Sequence, residues 1–290
     1  MTADTLFSET TITLGPGLAA EQGDTVSVWG NRVPVARSAP FFAAVRASLR
    51  FVESLNVEVC SNFPQAAGLA SSSSLFAAAA YGCAALAGRN DELALVSTLA
   101  RIGSASAARA VFGGFSSLAA GAASAQPEFP LDHWPELRML AVIVDPGPKA
   151  ITSRDAMGLV AATSPFYAAW LQDAPATYRE VRAALAQRDL ERLGEQMQLS
   201  YLRMFGTMLS AAPPINYLQP GSIRVLQILR ELRAAGTSAW ETMDAGPQVK
   251  IFTTVGELTA VRAALEQQAD IAADCLIECR AGEGARVVRR

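Results

Sequence analysis

The sequence predicts a two-lobed α+β protein, on three observations. Short runs alternating apolar and polar residues near the start read as strands, and apolar residues at helical spacing dominate the second half. Between them the apolar run LRMLAVIV ends in DPGPK, which divides the chain into an N-terminal lobe, 1–145, and a C-terminal lobe, 146–290. With 51% apolar and 18% charged residues over 290 positions, there is ample chain to bury a core and no sign of disorder.

Taken in order, Thr11–Leu14 and Thr25–Trp29 read as antiparallel strands separated by Gly-containing turns. Phe41, Val45, Leu49 and Val52 fall on one face of a helix over Pro40–Leu55, with the proline tolerated in its first turn. Val57–Cys60 is a strand that feeds the segment NFPQAAGLASSSSLFAAAA (62–80), where a Pro- and Gly-punctuated loop passes into an Ala-rich helix. After the stop at GRN, Asp91 caps a helix in DELALVSTLARIG. Leu137–Val144 is a strongly apolar strand, and Thr152–Leu171 opens a helical region that runs on until Pro213 and Pro214 break it. A helix over Ser222–Ala235, strand-like runs at Thr237–Met243 and Gln248–Thr254, a helix at Leu258–Gln268 and a strand at Asp274–Cys279 complete the chain.

The formal charge is −3 and no basic block occurs, so neither nucleic acid nor an anionic membrane surface is the expected partner, and a small molecule is. The longest weakly polar run, Leu75–Gly88, is too short to span a bilayer, and no export signal is visible at the start, which points to the cytoplasm. Cys60, Cys83, Cys275 and Cys279 read as free thiols, because no His/Cys cluster completes a ligand set. The single histidine, His133, reads as a surface residue rather than a catalytic base.

The chemistry concentrates at three places. At the strand-to-helix junction, Gly68 allows close backbone approach, and Ser71, Ser72, Ser73 and Ser74 offer hydroxyls and unpaired amides where a helix opens, which suits a phosphate chain. The other reading is an Ala-rich core helix with an ordinary serine cap. No Gly-Lys-Ser/Thr follows the loop, and the chain's two lysines, Lys149 and Lys250, lie elsewhere, so this is not a Walker A site. In GSASAARAVFGG, Ser104 and Ser106 precede a second helix, with Arg109 set beneath Ser106, giving either a second anion site or a capped helix with a surface arginine. Asp244, in the Gly/Pro turn of WETMDAGPQVKIF, is either a turn former or a base on a rigid support.

Together NFPQAAGLASSSS, ARIGSASAARAVFGGF, KAITSRDAM, TSPFYAAWL, RLGEQMQ and MDAGPQVKI occur in the order found in the galactokinase, homoserine kinase, mevalonate kinase and phosphomevalonate kinase (GHMP kinase) superfamily. Within it the chain most resembles the bacterial-type diphosphomevalonate decarboxylases, from about Thr5 to its end. The resemblance implies a ribosomal protein S5 domain 2-like N-terminal lobe, a ferredoxin-like C-terminal lobe, a cleft between them and a homodimer. It implies ATP-dependent decarboxylation to isopentenyl diphosphate, with ATP and Mg2+ as cofactors. Carried over by motif, Asp244 is the base or orienting carboxylate at the 3-hydroxyl, and Arg109 holds the substrate carboxylate or diphosphate. Ser104 and Ser106 line the diphosphate, Ser153 and Arg154 bind across substrate and nucleotide phosphates, and Gly68, Leu69, Ala70, Ser71, Ser72 and Ser73 cradle ATP.

The chain also departs from that pattern. The family opens with a strand and loop bearing an Ile-Lys-Tyr-Trp-Gly-Lys-like motif and a Ser-x-Ser segment, whereas MTADTLFSETT aligns just after them, so that unit is expected to be missing. Three readings follow: a shortened decarboxylase, a kinase or decarboxylase with a smaller pocket acting on mevalonate or its monophosphate, or a nucleotide-binding relative without turnover. Gln65 stands where threonine is usual. Phe205 and Met208 replace polar residues and Ala156 replaces a glycine, changes that either reshape the pocket or repack the lobe.

Overall fold

A computed structural model describes residues 1–17, 23–63, 71–147, 149–269 and 271–288. The chain forms two compact units. The first comprises the described residues of Met1–Phe63, Ala70–His133 and Ala281–Arg290, and the second those of Trp134–Arg280.

In the first unit, β1 (Ser8–Gly17), β2 (Thr25–Val28), β3 (Asn31–Val33) and β4 (Glu53–Ser61) form one sheet in the order β1-β4-β2-β3. Leu55, Val57 and Val59 point from β4 into the core at period two, where they meet Phe41, Phe42 and Val45 of α1 (Ala39–Leu49) and Ala77, Ala80 and Ala84 of α2 (Ser71–Leu86). The small faces of the Ala-rich helix let it lie close to the sheet; a Cβ at Gly82 would stand 2.7 Å from the end of the Ile12 side chain. Helix α3 (Leu93–Gly103), the single turn α4 (Ala107–Ala110) and a hairpin of β5 (Phe115–Ser117) with β6 (Gln126–Phe129) complete the main elements.

The last described residues return to this unit. Ala281 bridges Ala3, the Gly114 amide donates to the Gly282 carbonyl at 2.9 Å, and the Ala285 amide donates to the Val111 carbonyl at 3.1 Å.

The second unit holds a fully antiparallel sheet of β7 (Leu137–Val142), β8 (Trp240–Met243), β9 (Val249–Thr254) and β10 (Leu276–Cys279), in the order β10-β7-β9-β8. Counted within the unit this is 4-1-3-2, the ferredoxin-like order the resemblance implies. Helices α5 (Ser153–Thr163), α6 (Tyr167–Gln187), α7 (Leu190–Leu209), α8 (Pro220–Ala234) and α9 (Leu258–Gln268) accompany it. Gly194 lets α7 approach β8 closely, since a Cβ there would lie 2.0 Å from the Trp240 ring. Behind that contact Glu241 is buried, receiving Arg233 at 2.7 Å, Gln198 at 2.6 Å and the Tyr201 hydroxyl at 3.2 Å.

Several sequence expectations change. The strands at 11–14 and 25–29 do not pair with each other: β4 lies between them, antiparallel to β1 and parallel to β2. The helix expected to reach Leu55 ends at Leu49, because Arg50 adopts a left-handed conformation (φ 61°) and Glu53 already belongs to β4. Asp91 does not cap α3, which starts after Glu92. The helical run from Thr152 is three helices, interrupted around Ser164–Phe166 and at Arg188–Asp189. The strand placed at the end of the first lobe, β7, pairs with β9 and β10 in the second unit.

Candidate active site

The two serine runs of the first unit meet. Ser72 and Ser104 hydroxyls lie 3.3 Å apart, Ser104 and Ser106 lie 3.1 Å apart, and Ser73 bonds Ser106, so four hydroxyls form one chain at the start of α2. Gly103 makes this possible. A Cβ there would fall 2.1 Å from the Phe76 ring, so only glycine lets the end of α3 come against the first turns of α2. The first amides of an α-helix have no partner within it, and α2 presents Ser71, Ser72 and Ser73 there beside Ser104 and Ser106. Gly68, Leu69 and Ala70 lie outside the described residues, as does Gln65.

The second anion site differs from expectation in one respect. The segment after Ser106 is one turn of four residues, too short to supply a helix dipole of its own, so what it offers an anion is hydroxyls and Arg109, and the nearby helix end is that of α2. Arg109 is exposed on that turn. Its position is set by Ser97, fully buried on α3, which donates to the Ala108 carbonyl at 2.9 Å and accepts from the Ala125 amide at 2.9 Å. Nothing in the spacing of Ser97 distinguishes it from an ordinary core serine.

In the second unit the turn from β8 to β9 carries an exposed Asp244 among buried neighbours, Met243 before it and Ala245 to Val249 after it. A turn whose backbone is this enclosed holds its one exposed carboxylate in a fixed place. Ser222, buried in the first turn of α8, donates to the Pro247 carbonyl at 2.7 Å and helps hold the turn.

Both lysines of the chain converge here, and sequence reasoning used them only to exclude a Walker motif. Lys250 forms an ion pair with Asp244. Lys149 donates to the Ala245 carbonyl at 2.6 Å and to the Ser153 hydroxyl at 2.8 Å, with its ammonium 5.8 Å from the centre of the Tyr217 ring. Burial holds Lys149 below the ordinary lysine range; Asp244 opposes that shift and Lys250 adds to it. The available signal was composition: two lysines among 24 basic residues, each inside a motif already singled out. Thr152 caps α5 by accepting from the Asp155 amide at 3.3 Å, which leaves Ser153 and Arg154 exposed on the first helical turn.

Phe205, Met208 and Ala156 lie in the hydrophobic core of the second unit, so these departures repack the lobe. His133 is half-buried rather than fully at the surface, stacked on Phe129 with ring centres 4.2 Å apart. The four cysteines are free thiols, and burial pushes Cys83 up to about 12. Among the described residues no three His, Cys, Asp or Glu side chains converge as a metal site, and no helix is long and apolar enough to cross a membrane.

Two family models match the chain: a diphosphomevalonate decarboxylase-like N-terminal domain over residues 1–127 and a mevalonate 5-diphosphate decarboxylase C-terminal domain over residues 139–283. Human diphosphomevalonate decarboxylase is 34% identical over 218 residues, 71% of this chain and 54% of the human protein. The Candida albicans protein of the same name is 32% identical over 198 residues, 66% of this chain and 55% of its own. The matches thus span about half the length of the curated relatives. Among solved structures, mevalonate diphosphate decarboxylase from Staphylococcus aureus superposes with a TM-score of 0.88 at 30% identity, covering 99% of this chain and 88% of that one. One described as "MDDEF in complex with MVAPP, AMPPCP and Magnesium" gives 0.87 at 34% identity, covering 97% and 87%.

Proposed function

This chain belongs to the diphosphomevalonate decarboxylase family, and on that premise we propose that it converts mevalonate 5-diphosphate to isopentenyl diphosphate and carbon dioxide at the expense of ATP. The observation that carries the reading is the exposed Asp244 on a buried turn, with Lys149 and Lys250 gathered around it.

A tertiary alcohol is a poor leaving group, so the reaction needs a base at the 3-hydroxyl and cations where negative charge gathers. Asp244 accepts the hydroxyl proton, and Lys250 holds that carboxylate in place. Lys149 and Ser153 meet phosphate oxygens, with Arg154 on the same helical turn. By motif, Ser104, Ser106 and Arg109 are assigned to the substrate's diphosphate. The bond to the carboxylate then breaks, its electron pair forms the double bond, and the oxygen at carbon 3 departs.

The residues suit ATP with Mg2+, because the serine cluster offers hydroxyl and helix-end amide donors and magnesium commonly takes most of its ligands from phosphates and water. When bound, that nucleotide supplies the phosphoryl group that makes the 3-oxygen a leaving group. Gly68, Leu69, Ala70, Ser71, Ser72 and Ser73 are assigned to it by motif.

The test is a coupled assay of the 290-residue chain with ATP, magnesium and mevalonate 5-diphosphate, following ADP and carbon dioxide together. Equal release of both is expected. ADP alone would make the protein a kinase, and neither product would overturn the assignment of turnover. A cytoplasmic homodimer belongs to the same proposal, with sedimentation of the purified protein as its check.

A further inference from the structure

The β7–β9 ladder ends at Val142, paired with Val249, and the chain then leaves the sheet toward Lys149. Past that point the Val144 and Asp145 amides find their partner in a side chain. Gln248, 1% exposed, accepts from Val144 N–H at 2.6 Å and from Asp145 N–H at 3.3 Å, and its amide nitrogen donates to the Asp145 carbonyl. A buried amide uses its hydrogen-bonding capacity fully or pays about 1–3 kcal/mol for each group left unmade, so these contacts fix the backbone at the exit from β7.

Gln248 belongs to the same turn as Asp244 and lies between it and Lys250 in sequence. The stretch it holds leads to Lys149, whose ammonium comes back to the Ala245 carbonyl of that turn. Farther on, the Tyr217 hydroxyl donates to the Ile151 carbonyl at 3.0 Å. The chain around Lys149 is therefore tied on both sides, and the first tie comes from the turn that bears the carboxylate.

We propose that Gln248 is a positioning residue, which sets where the backbone leaves β7 and thereby where the Lys149 ammonium stands relative to the Asp244 turn. This rests on the roles given to Asp244 and Lys149 above. An ordinary structural staple would stabilise the sheet edge without governing Lys149, and that difference is measurable.

With two lysines in the chain, protein grown with side-chain-labelled lysine gives two ε-methylene signals, assigned with Lys149→Arg. In Gln248→Leu the Lys149 signal is expected to move to the position of a solvent-exposed lysine, while the Lys250 signal, on β9, moves far less. The same variant should lose on the order of tenfold in kcat with a smaller change in KM, since displacing a positioned group weakens catalysis more than binding. An unmoved Lys149 signal in folded Gln248→Leu overturns the proposal. If that variant does not fold, Gln248→Glu decides, because it keeps both acceptor contacts but sets a carboxylate against the Asp145 carbonyl oxygen. The Lys149 signal should then move part of the way, and a signal identical to wild type overturns the proposal. The spectrum requires no turnover, so an inactive wild-type chain would count against the assigned reaction and leave this test intact.

Discussion

Lys250 and Asp244 are joined by an ion pair across the turn between β8 and β9, with the lysine side chain 14% exposed and the carboxylate 55% exposed. A pair with one partner so open to water contributes at most about 1 kcal/mol to stability. Lys250→Met should therefore leave the urea midpoint nearly unchanged, while kcat falls by about tenfold or more as the carboxylate loses its alignment.

Asp244→Asn removes the proposed base and keeps the shape of the turn. Turnover should fall by about 10²- to 10⁴-fold, the usual range for a positioned acid or base. Calorimetric titration with a non-hydrolysable ATP analogue should show binding retained, and turnover like that of wild type would remove Asp244 from the mechanism.

Lys149 gives a pH dependence whose sign can be worked out. Burial lowers its folded pKa below the reference value of 10.5, so between the two values the unfolded chain binds more protons. Its contribution to stability thus rises with pH across that window. Below it the cost of burying the ammonium is fully present. Activity should change in the opposite sense, because the cation is lost early: the alkaline limb of kcat is expected below 10.5 and should vanish in Lys149→Met. Tyr217, pushed up to about 12 by burial with Asp155 adding, keeps its hydroxyl proton throughout.

Gly103→Ala places a methyl group on the Phe76 ring. Forcing a side chain into packed surroundings costs about 1–3 kcal/mol, and here the displacement also separates Ser104 from Ser72. Thermal unfolding should report the loss, and KM for the phosphorylated substrate should rise alongside it.

Glu241→Ala leaves the Arg233 guanidinium without its buried carboxylate. Removing one member of a buried pair costs about 3–5 kcal/mol. Urea denaturation should show a loss of that order, and the stacking of Arg233 over Trp240, 4.8 Å from its ring centre, should not offset it.

Much of this was legible from the chain because the signals were local. The strand β4 and the helix α2 that opens at the serines follow one another in sequence, and both serine runs were marked by composition. The helix start at Thr152 was equally local. What escaped depends on residues far apart. No periodicity tells that β4 inserts between β1 and β2, because the pattern of a strand does not name its neighbour. The end of α1 turns on one backbone conformation at Arg50. Lys149 and Lys250 come together only because β7 and β9 are adjacent in the second sheet, and Gln248 joins them through backbone groups that carry no side-chain signature.

The return of residues 281–285 to Val111, Gly114 and Ala3 gives the chain an order of assembly. During synthesis the stretch from Trp134 to Arg280 emerges as one uninterrupted piece and can complete its sheet as soon as β10 is available. The first unit, although translated earlier, waits for these backbone partners until residues 281–285 have been made. A stalled or prematurely released chain would therefore be incomplete in the unit that was made first.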